Sequence, residues 1–573
     1  MKYIKSLYTA GLIIAAVTFT SCTDLTEKPY SILTSDNYFT DRASVEATVL
    51  RPYEHAQWCG WDGDRWQLQE LTGDHFVWTQ KGRHGYDDGQ WVRLHEHKWN
   101  YDMNQINGGW VGPYQGIQQI NSLFRDFQNL DFEALGITDT EKANYIGELR
   151  ALRAWFYIFL IDFYRNVPIF TEENDPDGLI PQSTPEEVFA FIEKELTEIL
   201  PTLKKEHIVG RFTQAPTAAL LARIYFNSNV WIHVDRTDDC KKMCEDIIAG
   251  KYGQYSINQQ DYKDPFRSGI KGYESPENLF EFPHKRNVYQ FGGFHDSFLH
   301  YTSGQALGNP DGGNNGIHLQ PSRDFDNKIY DFSSKLGTPY EKYADCDYRK
   351  QPFKITTANG GYEGFFMIGK QFKFDYSKGY GYTNEPVNGT EEYKGEPLVY
   401  VDQVGRFSEG IDIAKEKGSR VTTGEENSGV RFNKFPYLQE GDGLYMCQSA
   451  PEIRLAEIYY MLAEIYYRAG NKGKAAELLD YVRVRNYPAD QWNKYSYTQN
   501  PTLLTDQEFI DEWGREFIGE RRRRMDLIRW GRFGDAWWDK GVDPNDKEYT
   551  IFPIPKRQLD ANPLLKQTTK GWQ

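Results

Sequence analysis

The chain has 573 residues, 39% of them hydrophobic and 15% aromatic, which supports a large core and exceeds one ordinary domain. Its formal net charge of -16 excludes the basic face that nucleic acid needs and argues against electrostatic adhesion to anionic lipid. The six cysteines (Cys22, Cys59, Cys240, Cys244, Cys346, Cys447) contain no C-x2-C pair, so zinc is not expected.

Lys2 and Lys5 precede a short apolar run over residues 11–19, followed by Thr20-Ser21-Cys22. A basic start, an apolar middle and small residues before a cut predict a signal peptide over residues 1–21. The run is too short to span a bilayer. A cysteine directly after the small residues resembles a bacterial lipobox, with Phe19 at its first position. The product implied begins at lipid-modified Cys22, tethered to a membrane surface rather than threaded through it.

Residues 41–57 read as a helix with Val45, Val49 and Tyr53 on one face. Seven of the fifteen tryptophans follow closely: Trp58, Trp61, Trp66, Trp78, Trp91, Trp99 and Trp110. Glycines between them predict loops. Indole faces stack on the apolar faces of sugar rings, and nearby polar groups bond the hydroxyls. Asp74, Trp78, Arg83 and Tyr86, with Arg65 just before them, are the ligand-binding candidates. Most of the tryptophans are expected in the core, with Trp78 the best exposed because it lies between polar loops. His95-Glu96-His97 puts two imidazoles on one side of an expected strand, short of a third metal ligand.

Helices are expected over residues 107–127 and around Leu149, Leu152, Phe156 and Phe163. Thr184-Pro185-Glu186-Glu187 is a capping box with proline at the first turn. Cys240 and Cys244 lie one helical turn apart, where disulfide geometry is poor, and read as buried helix. Residues 257–446 are rich in Gly, Asn, Asp, Tyr and Phe with few helical stripes. Tyr289 and Phe291 are the aromatic platform candidates there, and such a long loop region is commonly functional. Gly312-Gly313-Asn314-Asn315-Gly316 is a second candidate stretch of that surface.

Residues 451–485 predict a helical hairpin. Leu455, Ile458, Tyr459, Leu462, Ile465 and Tyr466 form one face, and Ser449 with Glu452 has the spacing of a capping box. Gly470-Asn471 ends the first helix. Such a hairpin resembles a tetratricopeptide repeat and must bury its face against partners elsewhere in the chain. Arg521 to Arg524 are expected to pair with Glu516, Glu520 and Asp526 across helix neighbours. Ile551-Phe552-Pro553-Ile554-Pro555 is expected extended.

Four stretches together resemble the SusD/RagB family of outer-membrane nutrient-binding lipoproteins. They are Arg150-Ala151-Leu152-Arg153-Ala154 running to Val167-Pro168; Arg454-Leu455-Ala456-Glu457 through Ala463-Glu464; Glu512-Trp513-Gly514-Arg515-Glu516-Phe517 through Asp526-Leu527-Ile528-Arg529-Trp530-Gly531; and Pro553-Ile554-Pro555 with Asn562-Pro563. The resemblance implies a mainly α fold: tetratricopeptide-like hairpins forming a scaffold, with long irregular insertions. It implies one unit over residues 22–573, divided into a helical scaffold with Trp-rich loops (36–256), a loop-rich ligand-side insert (257–446) and a C-terminal hairpin and tail (447–573). It also implies capture of oligosaccharide at the cell surface and delivery to a SusC-like TonB-dependent transporter. Starch-binding members carry an aromatic after an Asp in this region; Trp78 and Asp74 fit, while Gln80 stands where a second aromatic is expected.

The function expected is therefore glycan binding without catalysis or cofactor. The alternative is a peptide- or protein-binding helical scaffold. A surface glycoside hydrolase needs only two suitably spaced carboxylates. No H-E-x-x-H, G-x-S-x-G or P-loop supports an enzyme, and Gly470-Asn471-Lys472-Gly473-Lys474 lacks the P-loop spacing.

Overall fold

Helix-start chemistry sets the frame. The computed structural model describes residues 38–61, 63–284, 297–308, 312–331, 336–357, 361–377, 381–408, 418–435, 438–440, 443–445 and 449–571. The leader, Cys22, Tyr289 and Phe291 lie outside those residues. Thr138 and Glu141 cap each other at the start of helix Asp139–Tyr164, and Thr184 and Glu187 do the same for Pro185–Ile199. The first of these T-x-x-E signals went unread in the sequence; the second was expected.

Successive helices pack as antiparallel neighbours. Asn104–Gln128 packs on Asp139–Tyr164, which packs on Pro185–Ile199, and Gln214–Ile232 packs on Thr237–Ile248. The C-terminal hairpin, Leu455–Arg468 and Lys472–Arg483, closes against Thr237–Ile248. This supplies the partner that its exposed apolar face requires. Gly470 takes φ +82 at the turn, and Asn471 caps the second helix by accepting from Lys474 N–H. Asp139–Tyr164 is buried on nearly every side from Asn144 onward, which makes it the central rod. Cys240 and Cys244 are buried on one helix, free, with sulfurs 4.0 Å apart. The mainly α class and the tetratricopeptide-like hairpins are as expected. Among the described residues no helix is long and apolar enough to cross a membrane.

The insert consists of short antiparallel ribbons rather than plain loop. Ile317–Leu319 pairs with Phe76–Trp78, joining the insert to the Trp-rich segment. Asn278–Phe282 pairs with Ala450–Arg454. That pairing corrects one expectation. Residues 450–454 are strand, the helix begins at Leu455, and Ser449 with Glu452 forms no capping box. The Glu452 carboxylate is drawn instead into the interior.

There Glu452 meets Arg65 at 2.8 Å, Arg223 at 3.2 Å and Arg521 at 3.4 Å, and accepts from Trp155 Nε1 at 3.2 Å. These groups surround a cavity of about 30 Å³. Glu516 is held by Arg349, Arg454 and Arg485 at 2.9–3.1 Å. The 521–524 arginines also depart from the local pairing expected. Arg522 does reach Asp526 at 3.0 Å, but Arg523 reaches Asp74 at 2.6 Å and Arg524 reaches Asp162 at 2.8 Å. The neighbouring carboxylates are buried too and already held, Glu516 by Arg349, Arg454 and Arg485 and Glu520 by Arg454 and Lys434, so a buried Arg523 or Arg524 needs a carboxylate from elsewhere in the chain. The tail is extended as expected, with Phe552 and Ile554 fully buried and Phe552 N–H donating to Phe163 O at 2.7 Å.

Glu452→Ala leaves three buried guanidiniums without their shared carboxylate. We expect a loss of about 3–5 kcal/mol in urea unfolding; a loss under about 1 kcal/mol refutes the hub role. A pH dependence follows as well. Burial alone would raise the Glu452 pKa, but Arg65, Arg521 and Arg223 hold it down to about 2 against an ordinary 4.5. Arg483, Arg515 and Arg349 likewise overcome burial and hold Glu512 at about 2. Both contribute stability fully above the unfolded value and lose it as pH falls toward 2. The urea midpoint should therefore fall between pH 4.5 and 2, less steeply in Glu512→Gln. An equal slope in that variant counts against the assignment.

Candidate functional site

The site forms where the Trp-rich segment meets the insert. Beyond Trp78 the backbone runs beside residues 421–424. Gln80 N–H donates to Val421 O at 2.8 Å, and Gly424 N–H donates to Gln80 O at 3.0 Å. Lys81 and His84 exchange two backbone bonds of 2.9 Å, closing a tight turn. Gly85, at φ +77, lets the chain pass Trp78: a Cβ there would lie 3.2 Å from the indole nitrogen. The Lys81 ammonium is buried and donates to Gly316 O at 2.7 Å, with burial pulling its pKa well below the usual lysine value. The turn is thus anchored from beneath, and its tip carries Arg83 and Tyr86 outward; Tyr86 is 50% exposed.

The facing wall is pinned by Glu426. Its carboxylate accepts from the backbone N–H groups of Thr390 at 2.8 Å, Glu391 at 3.1 Å and Tyr393 at 2.6 Å, and from His300 Nε2 at 2.8 Å. Burial would raise its pKa, but His300 and the Thr390 and Tyr393 amides hold it at about 2. The pinned turn sets Glu391 3.5 Å from both Arg83 Nη2 and His84 Nε2. The Tyr301 ring meets His84 edge-on at 5.7 Å. The His84 and Tyr301 rings thus form a partly open surface beside a carboxylate and a guanidinium, and exposed Tyr86 lies two residues beyond His84 on the same stretch of chain. Such a surface offers apolar faces together with donors and acceptors for hydroxyl pairs.

The other expected site residues fall elsewhere. Trp78 is half-buried, stacked on buried Trp91 with centroids 4.1 Å apart and planes 7° apart. The backbone of Gly316 presses on the same indole, where an added Cβ would lie 2.3 Å from Cε2. Trp78 is therefore a footing under the surface rather than its open platform, because both the Trp91 ring and the paired strand claim it. Its indole N–H is buried without a partner among the described residues. Asp74 is fully buried and paired with Arg523, and Arg65 is buried and paired with Glu452. Neither is open to a ligand on this surface, since each is half of an interior ion pair.

Among the described tryptophan side chains Trp58 is the exposed one, at 49%, while Trp66, Trp91, Trp99 and Trp110 are in the core. Helical phase held that signal: the period that turns Val45, Val49 and Tyr53 inward turns residue 58 outward. His95 closes a short helix, Gln90–His95, rather than lying on a strand. It bonds Trp538 O, and His97 bonds Asp543 and Thr72 O. Burial lowers their pKa values to about 3 and about 4, so both rings are neutral and committed. His84, Tyr301 and Glu391 were missed in the sequence. Long-range contacts, the pairing of Phe76–Trp78 with Ile317–Leu319 and the grip of Glu426 on the 390–393 amides, bring residues 300–301 and 391 to the 81–86 turn.

Gly316→Ala tests the footing. It should displace the Trp78 ring, cost about 1–3 kcal/mol and weaken the near-ultraviolet dichroism of the Trp78–Trp91 stack. An unaltered spectrum and midpoint would show that the ring is not gripped.

Residues 276–572 match the profile of the SusD family, and residues 40–226 match one described as starch-binding associating with outer membrane. The starch-binding protein SusD of Bacteroides thetaiotaomicron is 23% identical over 602 residues, spanning 99% of this chain and 98% of that protein. A solved laminarin binding SusD-like protein superposes with a TM-score of 0.62 at 18% identity, covering 92% of this chain and 99% of that one. Surface glycan-binding protein A of Bacteroides thetaiotaomicron gives 0.60 at 19% identity, over 92% and 99%. With the helical scaffold, the ribbon-built insert and a profile match across more than half its length, the chain belongs to the SusD family.

Proposed function

We propose that this protein is a non-catalytic glycan-binding lipoprotein of the outer membrane that hands oligosaccharide to a SusC-like TonB-dependent transporter. The observation that carries the binding reading is the partly open His84–Tyr301 ring pair beside Arg83 and Glu391, with exposed Tyr86 close by in the chain. Relatives named for binding starch, laminarin or surface glycan support the ligand class. The outer-membrane description of the family and the lipobox-like Thr20-Ser21-Cys22 support the anchor. Delivery to a transporter rests on the family resemblance.

The surface suits capture rather than bond cleavage. Glu391 is held beside Arg83 and His84, and Glu426 is consumed by backbone N–H groups, so neither is set to donate a proton to a leaving oxygen. Ring stacking and hydroxyl bonds are individually weak. Tethering to a surface raises the local concentration of sites along a polymer and compensates for that weakness.

Calorimetric titration with a panel of neutral gluco-, galacto-, manno- and xylo-oligosaccharides tests the reading. Tyr86→Ala and Arg83→Ala should each weaken binding at least tenfold, about 1.4 kcal/mol, with the thermal midpoint unchanged and no reducing ends released. Release of new reducing ends would establish an enzyme. Full affinity in both variants would remove this surface from the function.

A further inference from the structure

A second cleft lies on the helical side and shares no lining residue with the ring surface. It encloses about 870 Å³ between helices Arg42–Trp61 and Asn104–Gln128, the connection around residues 168–179, and the C-terminal segment around residues 558–565. That volume is within the range of small-molecule sites. Helix Asn104–Gln128 is amphipathic in an unusual sense. Ile117, Ile120, Leu123 and Phe124 enter the core, while Val111, Tyr114, Gln115, Gln118, Gln119 and Ser122 line the cleft at i, i+3, i+4, i+7, i+8 and i+11.

The lining is apolar and carboxamide. Phe170 and Leu179 line it together with Gln115 and Gln118, and Leu179 is 55% exposed. Gln119 Oε1 is buried and accepts no hydrogen bond from the described residues. Among the described lining residues there is no carboxylate, and Arg51 at the edge is engaged by Glu54 at 3.2 Å. Exposed Trp58 stands alongside, its ring 5.4 Å from that of His55, which lines the cleft. On a chain of net charge -16 this is a hollow whose described lining holds a single charged group, Arg51, and no carboxylate.

A carboxamide donates and accepts at one tip, so it matches a hydroxyl in either role. A cationic ligand would find no carboxylate among the described lining residues, and an acidic one only Arg51, which already shares its charge with Glu54. We infer that this cleft is a second binding site for neutral oligosaccharide, with Gln115, Gln118 and Gln119 bonding hydroxyls and the exposed Trp58 ring stacking at its mouth. The inference rests on the glycan-binding reading and extends it from one face to two. Two sites on opposing materials, one of ribbons and one of helices, would let a single chain grip a polymer at two points.

The same oligosaccharide panel decides it, using the full protein with Gln118→Trp to fill the cleft, Trp58→Ala at its mouth, and Tyr86→Ala on the ring surface. Thermal midpoints confirm folding. We expect two saccharides per chain, one site weakened at least tenfold by Gln118→Trp and by Trp58→Ala, the other by Tyr86→Ala. One saccharide per chain, abolished by Tyr86→Ala and untouched by both cleft variants, overturns the cleft and leaves the ring surface standing. Binding abolished by the cleft variants and untouched by Tyr86→Ala keeps the cleft and overturns the ring surface. No response to any panel member overturns both. Uncharged peptides displaced by Gln118→Trp, with no saccharide effect, also overturn the inference.

Discussion

The structure depends on carboxylates that are buried and shared. Glu452 takes Arg65, Arg223 and Arg521 on its two oxygens, and the four residues come from far-separated parts of the chain. A buried ion without partners is prohibitive, so each of these segments can enter the interior only if the others do. Glu516, with Arg349, Arg454 and Arg485, repeats the arrangement for the insert, and Asp74 with Arg523 repeats it for the Trp-rich segment.

That constraint reaches the ring surface through short connections. Asp74 lies two residues before strand Phe76–Trp78, and its pair with Arg523 holds the strand against the C-terminal region. The strand carries Trp78, whose stack on Trp91 supports the 81–86 turn. From the other side Glu426 gathers the 390–393 turn by its amides. The exposed residues are few and the groups that place them are many. A surface of this kind is held rigid by its supports and carries polar groups at its rim.

The two faces of the molecule use different materials. The ring surface is assembled from turns locked by backbone bonds, while the helical cleft is assembled from one stripe of a long helix. In the first, contacts far apart in sequence create the site. In the second, 3.6-residue periodicity alone lines up the carboxamides. The helix can afford that stripe because its opposite face buries Ile117, Ile120 and Phe124.

Helix positions, caps such as Thr184 with Glu187, the Gly470 turn and the family likeness were all legible in the chain, because each is a local pattern of spacing and residue type. Even the outward ring of Trp58 was present in helical phase. The strand at residues 450–454 was not, since the same residues satisfy a capping pattern and only the neighbouring strand Asn278–Phe282 decides between them. Nor was the fate of Arg65 and Asp74, which as residue types suit a ligand as well as an ion pair. Burial settled that choice, and burial belongs to the assembled fold. Local spacing therefore determined which elements form, whereas long-range pairing determined which aromatic and charged groups remain free to meet a ligand.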